Sequence, residues 1–350
     1  MGCSCTKSKY RKIKELAYNN FVISSSLDKK EYALKIIRPI SDTTEKFDQE
    51  IKILKKWSHP NIIQLKGVFI CPQKKILYII TEYADDGNLQ IKLDEQKKKG
   101  EPFKENQLID WLMQICLALE YIHSKNIIHR KIKPSNIFCM NRGYIKLGDF
   151  GFAKLLENQM NKTKTFIDNM NLAPEIINNQ EYSYEIDIWD LGVTFYQLMY
   201  FQFPFEGNDI KEVYDNILKG EKAEKKNNFQ YSSKLTELID KMLSNRKEER
   251  PKIKDILNDN LIKSRMESYL IENEFKNDKV NCEIMNYENK NKNDINKEMN
   301  ESVLLTAFDY DDEIDHNFTI SPENEKLNKE KNNYQYLRVM SLINEKYIEK

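Results

Sequence analysis

No run of about eighteen apolar residues occurs in this 350-residue chain, so no membrane-spanning helix is expected. No secretory signal peptide is expected either. The chain has no excess of charge: 55 Lys and Arg balance 55 Asp and Glu, which argues against nucleic acid as the main partner. Its six cysteines, at positions 3, 5, 71, 116, 139 and 282, lack the paired C-x-x-C spacing of a zinc site. The last four read as free thiols of a reducing cytosol. What is present is a core's worth of apolar residues, 40% of the chain, enough for one two-lobed domain or two small ones plus a tail. Charge is unevenly spread: about +7 over the first 270 residues and about −7 over the last eighty.

The chain begins Met1-Gly2-Cys3-Ser4-Cys5-Thr6, followed by Lys7, Lys9, Arg11, Lys12 and Lys14. Gly2 with Thr6 fits the N-myristoylation pattern, and Cys3 and Cys5 are placed for palmitoylation. A single myristoyl chain binds a bilayer with K of only about 10⁴ M⁻¹, so stable attachment needs a second signal. Cysteines and basic residues both offer one, each base adding about 1 kcal/mol near an anionic leaflet. The alternative is a merely solvated start. The expectation is an anchor over residues 1–9 and a peripheral location on the cytoplasmic face of a membrane.

Five stretches carry the chemistry. Ile128-His129-Arg130-Lys131-Ile132-Lys133-Pro134-Ser135-Asn136 reads H-R-x-x-K-x-x-N. Lys146-Leu147-Gly148-Asp149-Phe150-Gly151 follows, then Ala173-Pro174-Glu175. Upstream, Glu31-Tyr32-Ala33-Leu34-Lys35-Ile36-Ile37 alternates like a strand, and Ile76–Glu82 reads as a buried one. The first stretch alone is compatible with a chance basic turn; the set at these distances is not. Together they resemble the protein kinases, with H-R-D-L-x-x-x-N, D-F-G and A-P-E signatures. The wording of Glu105–Leu119 and of Asn136-Ile137-Phe138 is similar to the NIMA-related (Nek) serine/threonine kinases.

The resemblance covers about residues 10–262 and implies an α+β, two-lobed fold, with a small β-rich lobe and a larger helical one. It implies a role for each matched residue. Lys35 would hold nucleotide phosphates and pair with Glu50 of a helix over 43–56, carrying Phe47, Ile51 and Leu54 on one stripe. Ala33, Thr81, Glu82, Ala84 and Phe138 would surround adenine. Asn136 and Asp149 would hold magnesium, Arg130 would meet a phosphorylated activation loop containing Thr163 and Thr165, and Lys133 would complete the catalytic loop. From Leu89 to His129 the chain reads as helical. Asp187-Ile188-Trp189 and Gly192 resemble the start of the long central helix, and Arg250 the partner of Glu175.

Three parts depart from the family. At the position of the catalytic base stands Lys131, an obligate donor that cannot accept the substrate hydroxyl proton. Ala17, Asn19 and Val22 replace the glycines that let backbone amides approach phosphates, and the hairpin is short. Ile167-Asp168-Asn169-Met170-Asn171 replaces the G-T-P-x-Y substrate loop. The expectation is therefore a pseudokinase that binds ATP and Mg²⁺ weakly and acts as a signalling scaffold or allosteric partner. The alternative is a low-activity serine/threonine kinase. Its protein partner or substrate is not specified by the sequence.

Residues 263–350 read as an acidic, largely disordered tail, with fifteen asparagines in the last eighty positions. Asp309-Tyr310-Asp311-Asp312-Glu313 suggests an EF-hand, but Ile314 and Ile320 stand where Gly and Glu are required. Apolar patches at Val303–Phe308 and Tyr334–Ile348 are candidate docking segments.

Overall fold

The computed structural model describes residues 10–17, 19–37, 59–71, 76–150, 153–155, 172–266 and 268. They form two compact units that divide between Tyr83 and Ala84.

The first unit is one antiparallel sheet in the order β1-β2-β3-β5-β4: β1 (Tyr10–Ala17), β2 (Asn20–Ser25), β3 (Glu31–Ile37), β4 (Leu65–Cys71) and β5 (Ile76–Glu82). Both expected strands, Glu31–Ile37 and Ile76–Glu82, are present with those limits. Alternation puts Phe21, Ile23, Leu34 and Ile80 into one buried cluster with Tyr10 and Tyr78. The rung Phe21↔Leu34↔Ile80 runs through its centre. Residues of opposite parity, Val22, Ala33 and Thr81, form the next rung and face the other way, as does Lys35.

The second unit is mostly helical. Its elements are α1 (Leu89–Lys99), α2 (Glu105–His123), β6 (Ile127–Ile128), β7 (Ile137–Cys139), β8 (Ile145–Leu147), β9 (Lys154–Leu155), α3 (Pro174–Ile177), α4 (Glu185–Tyr200), α5 (Ile210–Lys219), α6 (Ser233–Met242) and α7 (Ile253–Asn258). The helical reading from Leu89 to His129 is corrected in two places. α1 stops at Gly100, whose φ of 71° lets its N–H reach back to Gln96 O at 3.0 Å and Lys97 O at 3.2 Å. α2 stops at His123; Asn126 turns the chain at φ 58°, and β6 follows. α2 and α4 are buried nearly all round, as central helices must be. Within α2 the buried Gln114 is satisfied: its Oε1 accepts from Ile145 N–H at 2.9 Å, fixing β8 to the helix.

A buried ion pair ties the far end of this unit together. Arg250 donates from both terminal nitrogens to Glu175, at 2.7 and 2.8 Å, and its guanidinium lies 4.9 Å from the Trp189 ring centre. Trp189 stacks on Phe205 at 5.5 Å. Arg265, assigned by composition to the tail, docks on α2 through two bonds to Asp110 at 2.6 and 2.8 Å. The helix over residues 43–56, the activation-loop threonines, Gly2, Cys3, Cys5 and both tail patches lie outside the described residues. Among the described residues no helix is long and apolar enough to cross a membrane. Cys116 and Cys139 are free and buried, and burial pushes both thiols up, Cys139 to about 12.

Two outcomes follow for stability. Nothing lies within 4 Å of a Cβ built on Gly100, so Gly100→Ala tests its left-handed backbone alone. It is expected to cost about 1 kcal/mol, and Gly100→Asn less, in denaturant unfolding. Arg250→Ala leaves Glu175 charged and buried, an expected loss of about 3–5 kcal/mol. The double variant Glu175→Leu/Arg250→Met should lose far less. Equal losses would mean that the unpaired charge is not what matters.

Candidate active site

The H-R-x-x-K loop is held from below by one carboxylate. Asp187, in the first turn of α4, is completely buried. Its Oδ2 accepts from the His129 N–H at 2.9 Å, and its Oδ1 from the Arg130 N–H at 2.8 Å. Oδ2 also accepts from His123 Nε2 at 2.8 Å. Burial opposes the Asp187 charge, but the hydrogen bond from His123, the two neighbouring imidazoles and the His129 amide hold it below the usual carboxylate range. Asp190, one turn on, goes the opposite way: burial, then the neighbouring Asp187 charge, push it well above that range. With both amides clamped, Arg130 takes the left-handed backbone, φ 64°. Its side chain is turned inward and donates to Tyr182 Oη at 3.3 Å. Any contact with a phosphorylated loop concerns residues that are not described.

His129 carries the fixing one step further. Its Nδ1 accepts from the Lys131 N–H at 3.3 Å, so the proton sits on Nε2, which donates to Gly148 O at 3.1 Å. Burial pushes this imidazole towards its neutral form. Gly148 N–H in turn donates to Asn136 O at 3.0 Å, and Asn136 Nδ2 donates to Lys131 O at 2.9 Å. Phe150 is fully buried with its ring edge-on to His129, centroids 4.9 Å apart. Asp149, between Gly148 and Phe150, has φ 62°. Thr194 of α4 donates to Ile132 O at 3.2 Å, beside half-buried Lys133.

These constraints bring together Lys131, Asn136 and Asp149, three residues expected from sequence. Lys131 Nζ lies 2.7 Å from Asp149 Oδ2, with both side chains about three-quarters buried (23% and 22% exposed). This ion pair was not foreseen. The signal for it was in the sequence, since the base and metal positions of a kinase loop adjoin and here carry opposite charges. Asp187 was read only as the start of a helix, and its clamp on two backbone amides has no sequence signature of its own.

The other expected positions separate by unit. In the second unit, Ala84 is buried and its carbonyl accepts from Gly87 N–H at 3.4 Å. Phe138 is half-buried on β7, bridged to Asn88. In the first unit, Ala33, Lys35 and Thr81 share a sheet face. Glu82 is tied to Gln64: its N–H donates to Gln64 O at 3.0 Å, and its Oε1 accepts from Gln64 N–H at 2.7 Å. The register Ala17↔Asn20 closes the β1–β2 hairpin in two residues, with Asn19 at φ 60°. Among the described residues no extended loop of amides stands there. Glu50 lies outside the described residues.

Comparison with known proteins agrees with this geometry. The protein kinase domain model matches residues 21–262. Serine/threonine-protein kinase Nek1 of Mus musculus is 33% identical over 271 residues, 75% of this chain and 22% of that protein. Nek5 of Homo sapiens is 34% identical over 281 residues, 76% of this chain and 39% of that protein. Nek3 of Mus musculus is 35% identical over 227 residues, 65% of this chain and 43% of that protein. The chain therefore spans less than half the length of these relatives. With a β-sheet unit, a helical unit, the H-R loop, the D-F motif and the Glu175–Arg250 pair in place, the chain belongs to the protein kinase family and is similar to its Nek serine/threonine branch.

Proposed function

We propose that this chain is a pseudokinase, a protein kinase domain that binds nucleotide weakly and works as a scaffold or allosteric partner. The observation that carries the reading is at position 131. Where phosphoryl transfer needs a proton acceptor, an ammonium stands, and it donates to Asp149 at 2.7 Å. A positioned acid–base group contributes about 10²–10⁴ in rate, or ~3–5 kcal/mol of barrier. Losing it alone need not end transfer, because most of that catalysis is positioning and electrostatics. Two further losses add to it: the two-residue β1–β2 hairpin without glycine, and Asp168 in place of the substrate-loop threonine. Kinases generally use ATP and Mg²⁺; Lys35, Ala33 and Thr81 support some nucleotide affinity, and the missing glycines support its weakness.

Phosphate transfer to a generic protein substrate is expected at the level of an Asp149→Ala control. Lys131→Asp alone is expected to leave it there. Incorporation by the wild type that vanishes in the Asp149→Ala protein would establish the slow kinase instead.

We also propose that Gly2, Cys3 and Cys5 are acylated and, with the basic run from Lys7 to Lys14, tether the chain to the cytoplasmic face of a membrane. Fatty chains contribute about 0.8 kcal/mol per buried methylene and the bases a salt-sensitive attraction. In cell fractionation, Gly2→Ala is expected to release the protein. Cys3→Ser/Cys5→Ser should leave weak binding that high salt removes. A Gly2→Ala protein that still pellets with membranes would rule this anchor out.

A further inference from the structure

The residues expected to hold magnesium do not fit it as they stand. A divalent cation takes oxygen ligands, and its best one here, the Asp149 carboxylate, already has the Lys131 ammonium on Oδ2 at 2.7 Å. We propose that Lys131 is a built-in cation for Asp149, so that the nucleotide this unit takes is the metal-free triphosphate. The inference rests on the nucleotide-binding reading above and replaces its magnesium requirement.

The charge count carries the argument. The kinase pattern has an aspartate at position 131; lysine there changes the local charge by two units, from −1 to +1. That change equals the charge of one divalent ion. Around the loop, Lys131 and Lys133 against Asp149 leave +1 (two minus one), whereas aspartate at 131 would leave −1 (one minus two). Arg130, turned inward to Tyr182, and the Asp187 carboxylate that holds its backbone carry opposite charges, so together they leave the count unchanged. A polyphosphate tail would thus meet a surface of net positive sign without a metal.

The position of the ammonium is also built rather than incidental. The Lys131 N–H is bound to His129 Nδ1 and its carbonyl to Asn136 Nδ2, so the backbone on both sides of the side chain is held. Gly148, the residue before Asp149, is held through both its N–H and its carbonyl. Both ends of the ion pair are therefore presented by fixed backbone. A divalent ion at Asp149 would have to displace the ammonium or sit against its charge.

Two measurements on the full chain test this. By calorimetric titration, ATP is expected to bind in EDTA within about threefold of its affinity in excess Mg²⁺. Lys131→Met, nearly the same shape without charge, is expected to lose tenfold or more in EDTA and to regain affinity with Mg²⁺. Lys131→Arg, which keeps the charge, should behave as the wild type. Tenfold tighter wild-type binding with Mg²⁺, or an unchanged Lys131→Met, overturns the proposal. In the second measurement, Mn²⁺ alone is titrated and its free signal followed by electron paramagnetic resonance. Lys131→Met is expected to take up Mn²⁺ at least tenfold more tightly than the wild type, and equal uptake overturns the closed metal position. If ATP gives no heat in either buffer with any variant, the nucleotide reading fails, and the Mn²⁺ comparison still decides the ion-pair half.

Discussion

A single buried carboxylate sets the geometry on which the candidate site depends. Asp187 takes two backbone N–H donors and one imidazole into a solvent-free pocket, and a charge so buried is tolerable only because each of these bonds is made. From it the constraint passes through His129 to Gly148, from Gly148 to Asn136, and back to Lys131. The circuit uses main-chain groups at nearly every step. Arg130 and Asp149, both with left-handed backbone, sit where it bends. Such conformations cost energy in non-glycine residues and persist when their surroundings over-determine them.

Much of this domain is legible in the sequence. Alternation marked β3, and Ile76–Glu82 read as a buried strand, each with the limits observed; one residue of slip would turn Leu34 away from the core. Spaced motifs placed Glu175 and Arg250, whose side chains meet, and Asn136 and Asp149, which both bond to Lys131. Helix limits were less legible. The stretch 89–129 joins a charged segment to an apolar one, and reading it as one helix passes over Gly100, which caps the first helix, and Asn126, which turns out of the second. Arg265 was lost for a related reason: a charged residue beside an asparagine-rich stretch carries no sign that Asp110, 155 positions earlier, is its partner.

The site itself was half legible. Reading residues one at a time shows what each can donate or accept, and by that reading Lys131 is simply the wrong residue for a base. Pairing is a property of two positions brought together by a fold. The 2.7 Å contact with Asp149 makes the two residues a definite electrostatic arrangement, with one charge answering another. Neither residue is buried deeply enough for this pair to stabilise the fold strongly, since each keeps about a fifth of its side chain in solvent. Its consequence is local, in what else Asp149 can hold.

The way Asp187 grips the loop has a consequence for how such a protein changes over generations. It binds the amides of positions 129 and 130, groups that every residue except proline possesses, and it asks nothing of the side chain at 131. A codon change there alters the chemistry while the architecture stays indifferent. A lineage can change the chemistry at that one position without passing through an unfolded ancestor, because the hold on the loop is made by groups that the change does not touch.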